Sequence, residues 1–428
     1  MADEHPRPAR ASAGPQLLGP LRVRDFRLLF GGESISVLGD QFNFVALAWL
    51  TLQLTGSGLA LGTVLMVAAI PRAIFMLLGG ALSDRWSPRS LMLYSNAIRA
   101  VLVGIIAALV LTGHASLWQL YILAGTFGVV DALFYPAVSA ILPMIVDEPS
   151  LPPANALMQG SQQLAGLIGP ALAGVVVALV QTGPAFAVDA VSFAAASVAL
   201  LFIAGGRRPT KAPGTTDARA PTVIASIRAG LDYARRDPPV RSLILLVAAS
   251  NFAFNGPLLV GVPFMADHTL GGGSATFGIL LSAYGGGAVV GAIGASRRVP
   301  RLGILVLATA FAMGVALALL GVAPNIPSAF VLLVGIGLGA GFLNVHIFSW
   351  LQGRTPEAMR GRVMSIVLLG AFSLSPISYA LAGAIVDVAP VALMFAAAGA
   401  IVVAASVGGS TAGVASRMTY AIEEATTA

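Results

Sequence analysis

The sequence predicts an all-α membrane protein with twelve transmembrane helices in two six-helix pseudo-repeats. Its composition, its apolar segments and an internal repeat support this fold class. Of the 428 residues, 57% are hydrophobic and only 10% are charged. Average globular proteins carry about 25% charged residues, so a soluble fold of this length would lack the charges that cover its surface. The 49 glycines fit helices that pack closely within a bilayer.

Twelve apolar segments are each long enough to cross a bilayer core of about 30 Å. We predict spans near 26–51, 58–82, 90–112, 117–146, 154–180, 184–204, 241–266, 274–296, 302–322, 327–351, 361–384 and 389–410. The start of the chain, MADEHPRPARASAGPQ, is polar and rich in Pro and Ala. It does not have the pattern of a cleavable signal peptide, and we expect it to be disordered.

The basic residues are distributed on one side of these spans. Of the 24 Lys and Arg residues, Arg72 and Arg99 lie within spans. The other 22 lie in or next to the N-terminal tail, the loops that follow spans 2, 6, 8 and 10, and the C-terminal tail. By the positive-inside rule, both termini are predicted to be cytoplasmic in a multi-pass protein of the plasma (inner) membrane. The net charge of +6 is thus a signal of topology, and we expect no nucleic-acid partner.

The two halves of the chain repeat each other. GGALSDRWSPR (79–89) aligns with GAIGASRRVPR (291–301) at an offset of 212 residues. The same offset places GDQFN (39–43) over NFAFN (251–255). One offset that fits two distant places indicates a duplicated six-helix unit, and internal repeats are typical of secondary transporters.

These observations predict the domain organisation. It consists of a disordered cytoplasmic tail (1–20), an N-terminal six-helix bundle (21–204), a cytoplasmic linker (205–240), a C-terminal six-helix bundle (241–410) and a cytoplasmic tail (411–428). In the linker, VIASIRAGLDYARR places Ile224, Ile227 and Leu231 on one face and charged side chains on the other. This pattern predicts a helix on the inner membrane surface, with an ordinary solvated linker as the alternative.

Four stretches of the chain resemble a known superfamily. They are GGALSDRWSPR (79–89), the segment from DALFYPAVSAILPM to GLIGPALAG (131–174), IRAGLDYARRDPPVRSL (227–243) and TPEAMRGRVMSI (355–366). They are similar to motifs of the major facilitator superfamily and, within it, of the drug:proton antiporter branch that includes macrolide-efflux and enterobactin-exporter proteins. The resemblance covers roughly residues 20–410.

The resemblance implies a secondary active transporter with the major facilitator fold. Its expected activity is export of amphipathic small molecules of the drug, macrolide or siderophore class from the cytoplasm, by proton antiport with alternating access. Multidrug resistance is one role that such export serves. A lysophospholipid transporter or flippase of the same fold is the alternative, and a non-transporting membrane sensor is a further one. We expect a monomer whose partners are its substrate, protons and the lipid bilayer.

The first motif resembles the gate motif of the superfamily, Gly-x-x-x-Asp-Arg-x-x-x-Arg, at Gly80, Asp84, Arg85 and Arg89. A carboxylate at this place can stabilise a nearby helix N-terminus, and an arginine can hold that carboxylate. Such a contact would exist in one global state only. The alternative is a plain charged turn. In the second repeat Ser296 replaces the acid, so a second gate of this kind is weak or absent.

The fifth span contains GLIGPALAG, which resembles the antiporter motif of this helix, with Ala at two customary Gly positions. Gly169, Pro170 and Gly174 would permit a kink and the close approach of another helix. Generic packing of small residues is the alternative.

Polar side chains follow one face of the otherwise apolar first span. Glu33, Ser36, Asp40 and Asn43 are spaced as neighbours along a single helical stripe. Lipid would reject this stripe, so we expect it to face the bundle interior or a wet cavity. A partly desolvated carboxyl can bind and release protons, and we predict Asp40 as the main proton-coupling residue with Glu33 as a possible partner.

Asp131, in the middle of the fourth span, is the third proton-coupling candidate. In the superfamily, helices 1, 4, 7 and 10 line the cavity, so Asp131 and Asp40 are expected to share it. The alternative for these acids is structural ion pairing with Arg99 or Arg72. The broader antiporter pattern has an arginine in helix 4, but the segment 116–146 contains none. Arg99 is the candidate substitute.

The substrate cavity is predicted to include Asn43, Arg99, Asn251 and Asn255. The last two lie four residues apart, before Gly256 and a proline, and this pattern indicates a cavity-facing patch at a helix break. Interhelical hydrogen bonding is the alternative for both amides. Asn344 and His346 are weaker candidates.

Several function classes are excluded by missing residues. The chain has no cysteine and no pair of histidines at metal-ligand spacing, so we predict no metal site and no thiol chemistry. The single lysine, Lys211, is not part of a phosphate-binding loop, which excludes ATP-driven transport by this chain alone. Motifs of intramembrane hydrolases are missing as well. We therefore predict a protein that is not an enzyme and that needs no cofactor.

Overall fold

The computed structural model is all-helical in the part of the chain that it describes, which comprises residues 17–83, 87–204, 223–295, 299, 301–411, 414 and 418. Twelve segments of this part are long and apolar enough to cross a membrane. The predicted fold class of twelve helices in two six-helix halves is thereby confirmed. The helices of the first half are α1 (Arg24–Thr55), α2 (Gly58–Ser83), α3 (Pro88–Leu111), α4 (Leu117–Ile145), α5 (Leu151–Val180) and α6 (Thr182–Leu201).

Local sequence signals set where several of these helices begin. Ser87 precedes Pro88, and its hydroxyl accepts a hydrogen bond from the Ser90 amide at 3.1 Å. Ser116 and Gln119 form a reciprocal capping box at the start of α4. Such caps satisfy backbone donors that have no partner within the helix. The observed bounds lie within a few residues of the predicted spans.

The second half contains α8 (Pro238–Gly256), α9 (Val262–His268), α10 (Gly273–Gly294), α11 (Leu302–Leu320), α12 (Ile326–Arg354), α13 (Glu357–Phe372), α14 (Ser375–Val388) and α15 (Val391–Thr411), and it is preceded by the short helix α7 (Val223–Arg236). Two of its six spans are interrupted. A π-helical turn, Pro257–Gly261, joins α8 to α9, and a two-residue turn at Ser373 and Leu374 separates α13 from α14.

The break in the seventh span lies at the predicted Gly256–Pro257 step. Proline has no backbone N–H, and π turns interrupt the regular hydrogen-bond ladder. Ser378 of α14 provides hydrogen-bond partners for the backbone at this break. Its hydroxyl accepts a hydrogen bond from the Gly256 amide at 2.8 Å and donates one to the Phe252 carbonyl at 2.5 Å. The break in the eleventh span was not predicted, although Pro376 at the start of α14 explains it.

The predicted linker contains α7, which packs against α13 and α8. Its Ala234 is buried, while Arg228, Arg235 and Arg236 are exposed. Residues 205–222 lie outside the described part, as do residues 1–16 of the predicted N-terminal tail. Within the predicted C-terminal tail, Met418 is buried and its carbonyl accepts a hydrogen bond from the Gly303 amide at 3.0 Å.

The two halves meet along two helix pairs, α2 with α14 and α5 with α10. Glycines allow this contact. A side chain added at Gly62 would collide with the Tyr379 carbonyl, and one added at Gly278 would collide with the Pro170 carbonyl. In a bilayer, helix association depends on such close backbone packing. Many large apolar side chains on the outer surface are exposed, as a lipid environment requires.

Candidate functional site

A cavity of about 650 Å³ lies between the halves. Its walls come from α1 to α5, the π turn, α10 and α14. Aromatic rings line much of it: Phe44, Phe127, Phe134, Tyr135, Tyr284 and Tyr379. It extends to Val138 and Met158, near the ends of α4 and α5 that lie on the same side of the bundle as the start of α1. The cavity therefore combines an apolar wall with the charged groups of α1, α2, α3 and α4.

Asp131 lies between two arginines. Its carboxylate forms one ion pair with Arg99 of α3 and another with Arg72 of α2. Arg99 is 2% exposed, whereas the Arg72 side chain is 49% exposed. Of the two possibilities for this acid, the structure therefore contains the ion pair. Two guanidinium groups thus contact one carboxylate, and such charge-assisted contacts are stronger than neutral ones.

Arg99 is enclosed by aromatic rings. Its guanidinium carbon lies 4.5 Å from the ring centre of Phe134, 5.4 Å from Phe193 and 5.5 Å from Phe127. The faces of aromatic rings attract cations, and the attraction increases when water is excluded. These rings and Asp131 together explain how a full positive charge is tolerated in the interior of α3.

Glu33 and Asp40 line the same cavity and face the cation of Arg99 at longer range. Neither forms an ion pair with any residue that the structure describes, and Asp40 accepts no hydrogen bond from one. The side-chain amide of Asn96, on α3, lies beside the Glu33 carboxyl group. Glu33 is buried and Asp40 is half-buried. The predicted stripe on α1 thus faces the cavity, and its two acids differ from Asp131 in having no direct counter-ion.

Asp189 of α6 is an interior acid that the sequence analysis missed. It is fully buried and accepts a hydrogen bond from the Asn43 amide at 2.9 Å and one from the Ser192 hydroxyl at 3.3 Å. Gly39 makes room for it, because a side chain there would lie 2.7 Å from an Asp189 carboxylate oxygen. The available signal was a lone acid in the apolar run AFAVDAVSF. Asn43 lines the cavity as predicted and connects it to this acid.

Asn251 and Asn255 do not line the cavity. The Asn251 amide donates to the Val247 carbonyl of its own helix at 2.9 Å, and the Asn255 amide donates to the Ser375 hydroxyl at 2.8 Å. Asn255 therefore makes the interhelical hydrogen bond that was the alternative. The physical reason is the break between α13 and α14, which brings the serines of α14 against the end of α8.

The glycines and proline of the α5 motif contact two different helices. Gly169 packs against Gln41 of α1, whereas Gly174 packs against Ser274 and Gly278 of α10. Following Pro170, the Ala171 amide donates across the boundary between the halves to the Ser282 hydroxyl at 2.9 Å. The motif thus lies on the α5–α10 contact that joins the two halves.

The gate motif is described in part. Gly80 lies in α2, while Asp84 and Arg85 lie outside the described residues. Arg89 donates two hydrogen bonds of 2.8 Å, to the carbonyls of Leu200 and Leu201 at the end of α6. A cation at this place satisfies carbonyls that have no helical partner. Ser296 and Pro300 of the second repeat are outside the described part as well.

The chemistry available at this site is electrostatic. Among the described residues, no group of three His, Asp or Glu side chains could hold a metal ion. The cavity offers two carboxyl groups without a direct counter-ion, two guanidinium groups and several aromatic faces. Such a set can exchange protons and can bind an apolar or cationic molecule.

The known proteins that this chain resembles are membrane transporters. A family model described as "Transmembrane secretion effector", of the major facilitator superfamily, matches residues 16–417. The chain is 25% identical over 382 residues to the multidrug efflux pump Tap of Mycolicibacterium fortuitum, covering 87% of this chain and 90% of that protein. It is 21% identical to macrolide efflux protein A of Streptococcus pyogenes over 347 residues, covering 80% and 84% of the two chains.

A solved structure shares the fold. The crystal structure of a bacterial homologue of the iron transporter ferroportin, in its inward-facing state, superposes with a TM-score of 0.67. It is 18% identical, and the superposition covers 93% of this chain and 99% of that one.

Proposed function

Since the chain belongs to the transmembrane secretion effector family of the major facilitator superfamily, we propose that it exports amphipathic small molecules by proton antiport with alternating access. It is a multi-pass membrane transporter, with efflux pumps among its relatives. The direction of transport, the coupling ion and the substrate class are the parts that this proposal adds.

One observation supports the proposed proton coupling. Asp40 lines the central cavity without a direct counter-ion, whereas Asp131, which lines the same cavity, forms ion pairs with Arg72 and Arg99. An interior carboxyl group without such a partner is stabilised by binding a proton and can lose it when a cation enters or the surroundings become wetter. Asp40 is therefore the proposed proton carrier. Glu33 is a second candidate, and Asp131 is a structural group that holds Arg99.

The substrate class follows from the cavity and from the relatives. A space of about 650 Å³ with aromatic walls suits a large molecule with apolar rings, and the two acids on α1 favour a positive group on it. The relatives are named for multidrug and macrolide efflux. Export of such compounds would protect the cell that makes the protein.

The proposed state of the structure is inward-facing. The cavity reaches Val138 and Met158 on the side that the positive-inside rule assigns to the cytoplasm. On the opposite side, α14 packs against α2 and α5 packs against α10. The inner segment of the eleventh span, α13, makes no comparable contact with α2 in the described part of the chain. A substrate could thus enter from the cytoplasm while the outer side is closed.

The two motifs have proposed roles in the change of state. The gate motif at Gly80, Asp84, Arg85 and Arg89 would hold the cytoplasmic side closed in the outward-facing state. The motif at Gly169, Pro170 and Gly174 would keep α5 and α10 in close contact in the inward-facing state, as the observed packing of Gly174 supports.

The direct test is transport by the purified protein in liposomes. An imposed pH gradient should drive a macrolide or a fluorescent cationic dye against its own concentration gradient, and each transported molecule should be accompanied by proton movement in the opposite direction. Dissipating the gradient with a protonophore should abolish the accumulation. Equal transport with and without the pH gradient would contradict proton antiport.

A further inference from the structure

At the side of the bundle opposite the start of α1, a carboxylate of the second half accepts hydrogen bonds from a helix of the first half. Asp387, at the end of α14, accepts hydrogen bonds from the Ser57 hydroxyl at 2.6 Å, the Gly58 amide at 2.6 Å and the Leu59 amide at 3.1 Å. The Ser57 hydroxyl in turn accepts from the Ala60 amide at 3.1 Å. The carboxylate thus completes the cap at the N-terminus of α2.

This arrangement is electrostatically favourable. The first amides of a helix have no partner within the helix, and the positive end of the helix dipole lies there. An ionised acceptor forms shorter and stronger hydrogen bonds than a neutral one. Asp387 is exposed, so its charge keeps contact with water and does not carry the cost of complete burial.

The contact belongs to one arrangement of the two halves. Directly below it, Gly58 lies against Gly383, and Gly62 lies against the carbonyl of Tyr379. Glycine is required at these places because an added side chain would collide with the opposing helix. If the outer ends of α2 and α14 separated, the three hydrogen bonds to Asp387 would be lost together with this packing.

The corresponding contact between α5 and α10 has no such group. There the Ser274 hydroxyl donates to the Gly174 carbonyl at 3.2 Å and the Ala171 amide donates to the Ser282 hydroxyl at 2.9 Å, and the other contacts are apolar or involve glycine backbone. The segment from Leu151 to Val180 contains no acid. Of these two helix pairs, only α2–α14 has a charged contact in the described part of the chain.

We propose that Asp387 is an outer-gate residue, whose bonds to Ser57, Gly58 and Leu59 stabilise the state closed on the outer side and are released when that side opens. The proposal rests on the proposed alternating access, but it concerns the balance of two conformations and neither the substrate nor the coupling ion. Asp387 acts by positioning α2 and has no contact with the cavity. In the sequence-based gate motif, the acid would act in the same way on the cytoplasmic side.

Distance measurements between spin labels test this directly, and the absence of native cysteines makes the labelling clean. One pair of labels, at Leu111 and Val322, reports the outer side. A second pair, at Glu148 and Gln352, reports the inner side. All four residues are exposed, and each pair has one label in each half. The full-length protein is measured in detergent and in nanodiscs, without substrate.

The Asp387→Ala variant should increase the fraction of molecules with a long outer distance by about tenfold and should shorten the inner distance in the same molecules. Asp387→Asn keeps one acceptor and should give a smaller shift. Asp267→Ala is the matched control, because Asp267 is also an exposed acid on the outer side but pairs with His268 of its own half. It should leave both distances unchanged.

Distance distributions of Asp387→Ala that match those of the unmutated protein would overturn the proposal. A shift of equal size in Asp267→Ala would overturn it as well, since the effect would then come from the loss of any outer charge. If Asp387→Ala did not fold, Ser57→Ala, which removes one of the three donors, should shift the outer distance in the same direction. These readouts do not depend on transport, so a failure of proton coupling would leave them intact.

Discussion

Asp131 and Arg99 form an ion pair inside a ring of aromatic side chains, and this pair connects α3 to α4 at the level of the cavity. Removing one partner of a buried ion pair leaves the other charge without compensation, which costs more than the pair itself contributes. The two acids on α1 have no comparable partner. The cavity thus contains acids of two kinds, and they should respond differently to substitution.

Asp131→Asn should reduce the stability of the folded protein strongly, by about 3–5 kcal/mol, because the buried Arg99 would lose its counter-ion. The measurement is the temperature at which the protein loses its monodisperse peak in size-exclusion chromatography. The double variant Arg99→Met with Asp131→Leu should recover much of the loss, because it removes both charges together. A single variant as heat-resistant as the unmutated protein would contradict a structural role for Asp131.

Asp40→Asn should fold normally, since no hydrogen bond or ion pair to a described residue is lost. It should abolish transport driven by a pH gradient in proteoliposomes but retain exchange of substrate down its own gradient. Binding and the conformational change do not themselves need a titrating group. Undiminished gradient-driven transport by this variant would remove Asp40 from the coupling role. Glu33→Gln would then be the variant that should abolish it.

Gly39→Ala should destabilise the contact between α1 and α6. The added methyl group would collide with the Ser192 hydroxyl and lie 2.7 Å from the Asp189 carboxylate. Overpacking of this kind costs about 1–3 kcal/mol, measured here as a lower unfolding temperature. Gly31→Ala is the matched control on the same helix, because nothing lies within 4 Å of a side chain added there. Equal unfolding temperatures of the two variants would contradict the observed packing of α6 on α1.

Gly174→Ala should impair transport with little effect on the fold of either half. The new methyl group would lie 2.5 Å from the Ser274 carbonyl and 3.0 Å from the Gly278 Cα, so it would force α5 and α10 apart. Transport rate and the outer label distance are the two measurements. Gly160→Ala, on the same helix with open space around it, should have no effect on either. Normal transport by Gly174→Ala would show that this close contact is dispensable.

Single cysteines should label according to the predicted topology. In whole cells, a membrane-impermeant maleimide should react with a cysteine at Leu111 or Val322 and not with one at Glu148 or Gln352, all of which are exposed positions. Permeabilised cells should label at all four. The reverse pattern in intact cells would contradict cytoplasmic termini and the inward-facing assignment together.

The sequence alone predicts the fold class because the physical requirements of a bilayer are local. Span lengths, the placement of basic residues and the polar stripe on α1 can each be derived from short stretches of chain. The break at Gly256–Pro257 was also predictable, since proline and glycine mark it directly. Family resemblance added expected roles for residues whose partners lie far away in the sequence.

Contacts between distant helices were not predictable in this way. Asp189 lies 146 residues from Asn43, and Asp387 lies 330 residues from Ser57. A lone acid in a span or at its end carries no mark of its partner, and only the assembled bundle brings the two together. The partner of Asn255 was not predictable for the same reason. Asn255 aligns with Asn43 in the repeat, but it bonds to Ser375, whereas Asn43 bonds to an acid. Equivalent positions in the two halves have acquired different neighbours.

The charges around the cavity also bear on how voltage across the membrane would act on the protein. The cavity lining contains two guanidinium groups and three carboxyl groups. They belong to Arg72 and Arg99, and to Glu33, Asp40 and Asp131. The lining has a formal charge of −1 with all three carboxylates ionised and is neutral once one proton is bound. A monovalent cation would neutralise the ionised lining just as one proton does. Exchange of one for the other would therefore be electrically silent, whereas export of a neutral compound against one proton would move charge and respond to membrane potential.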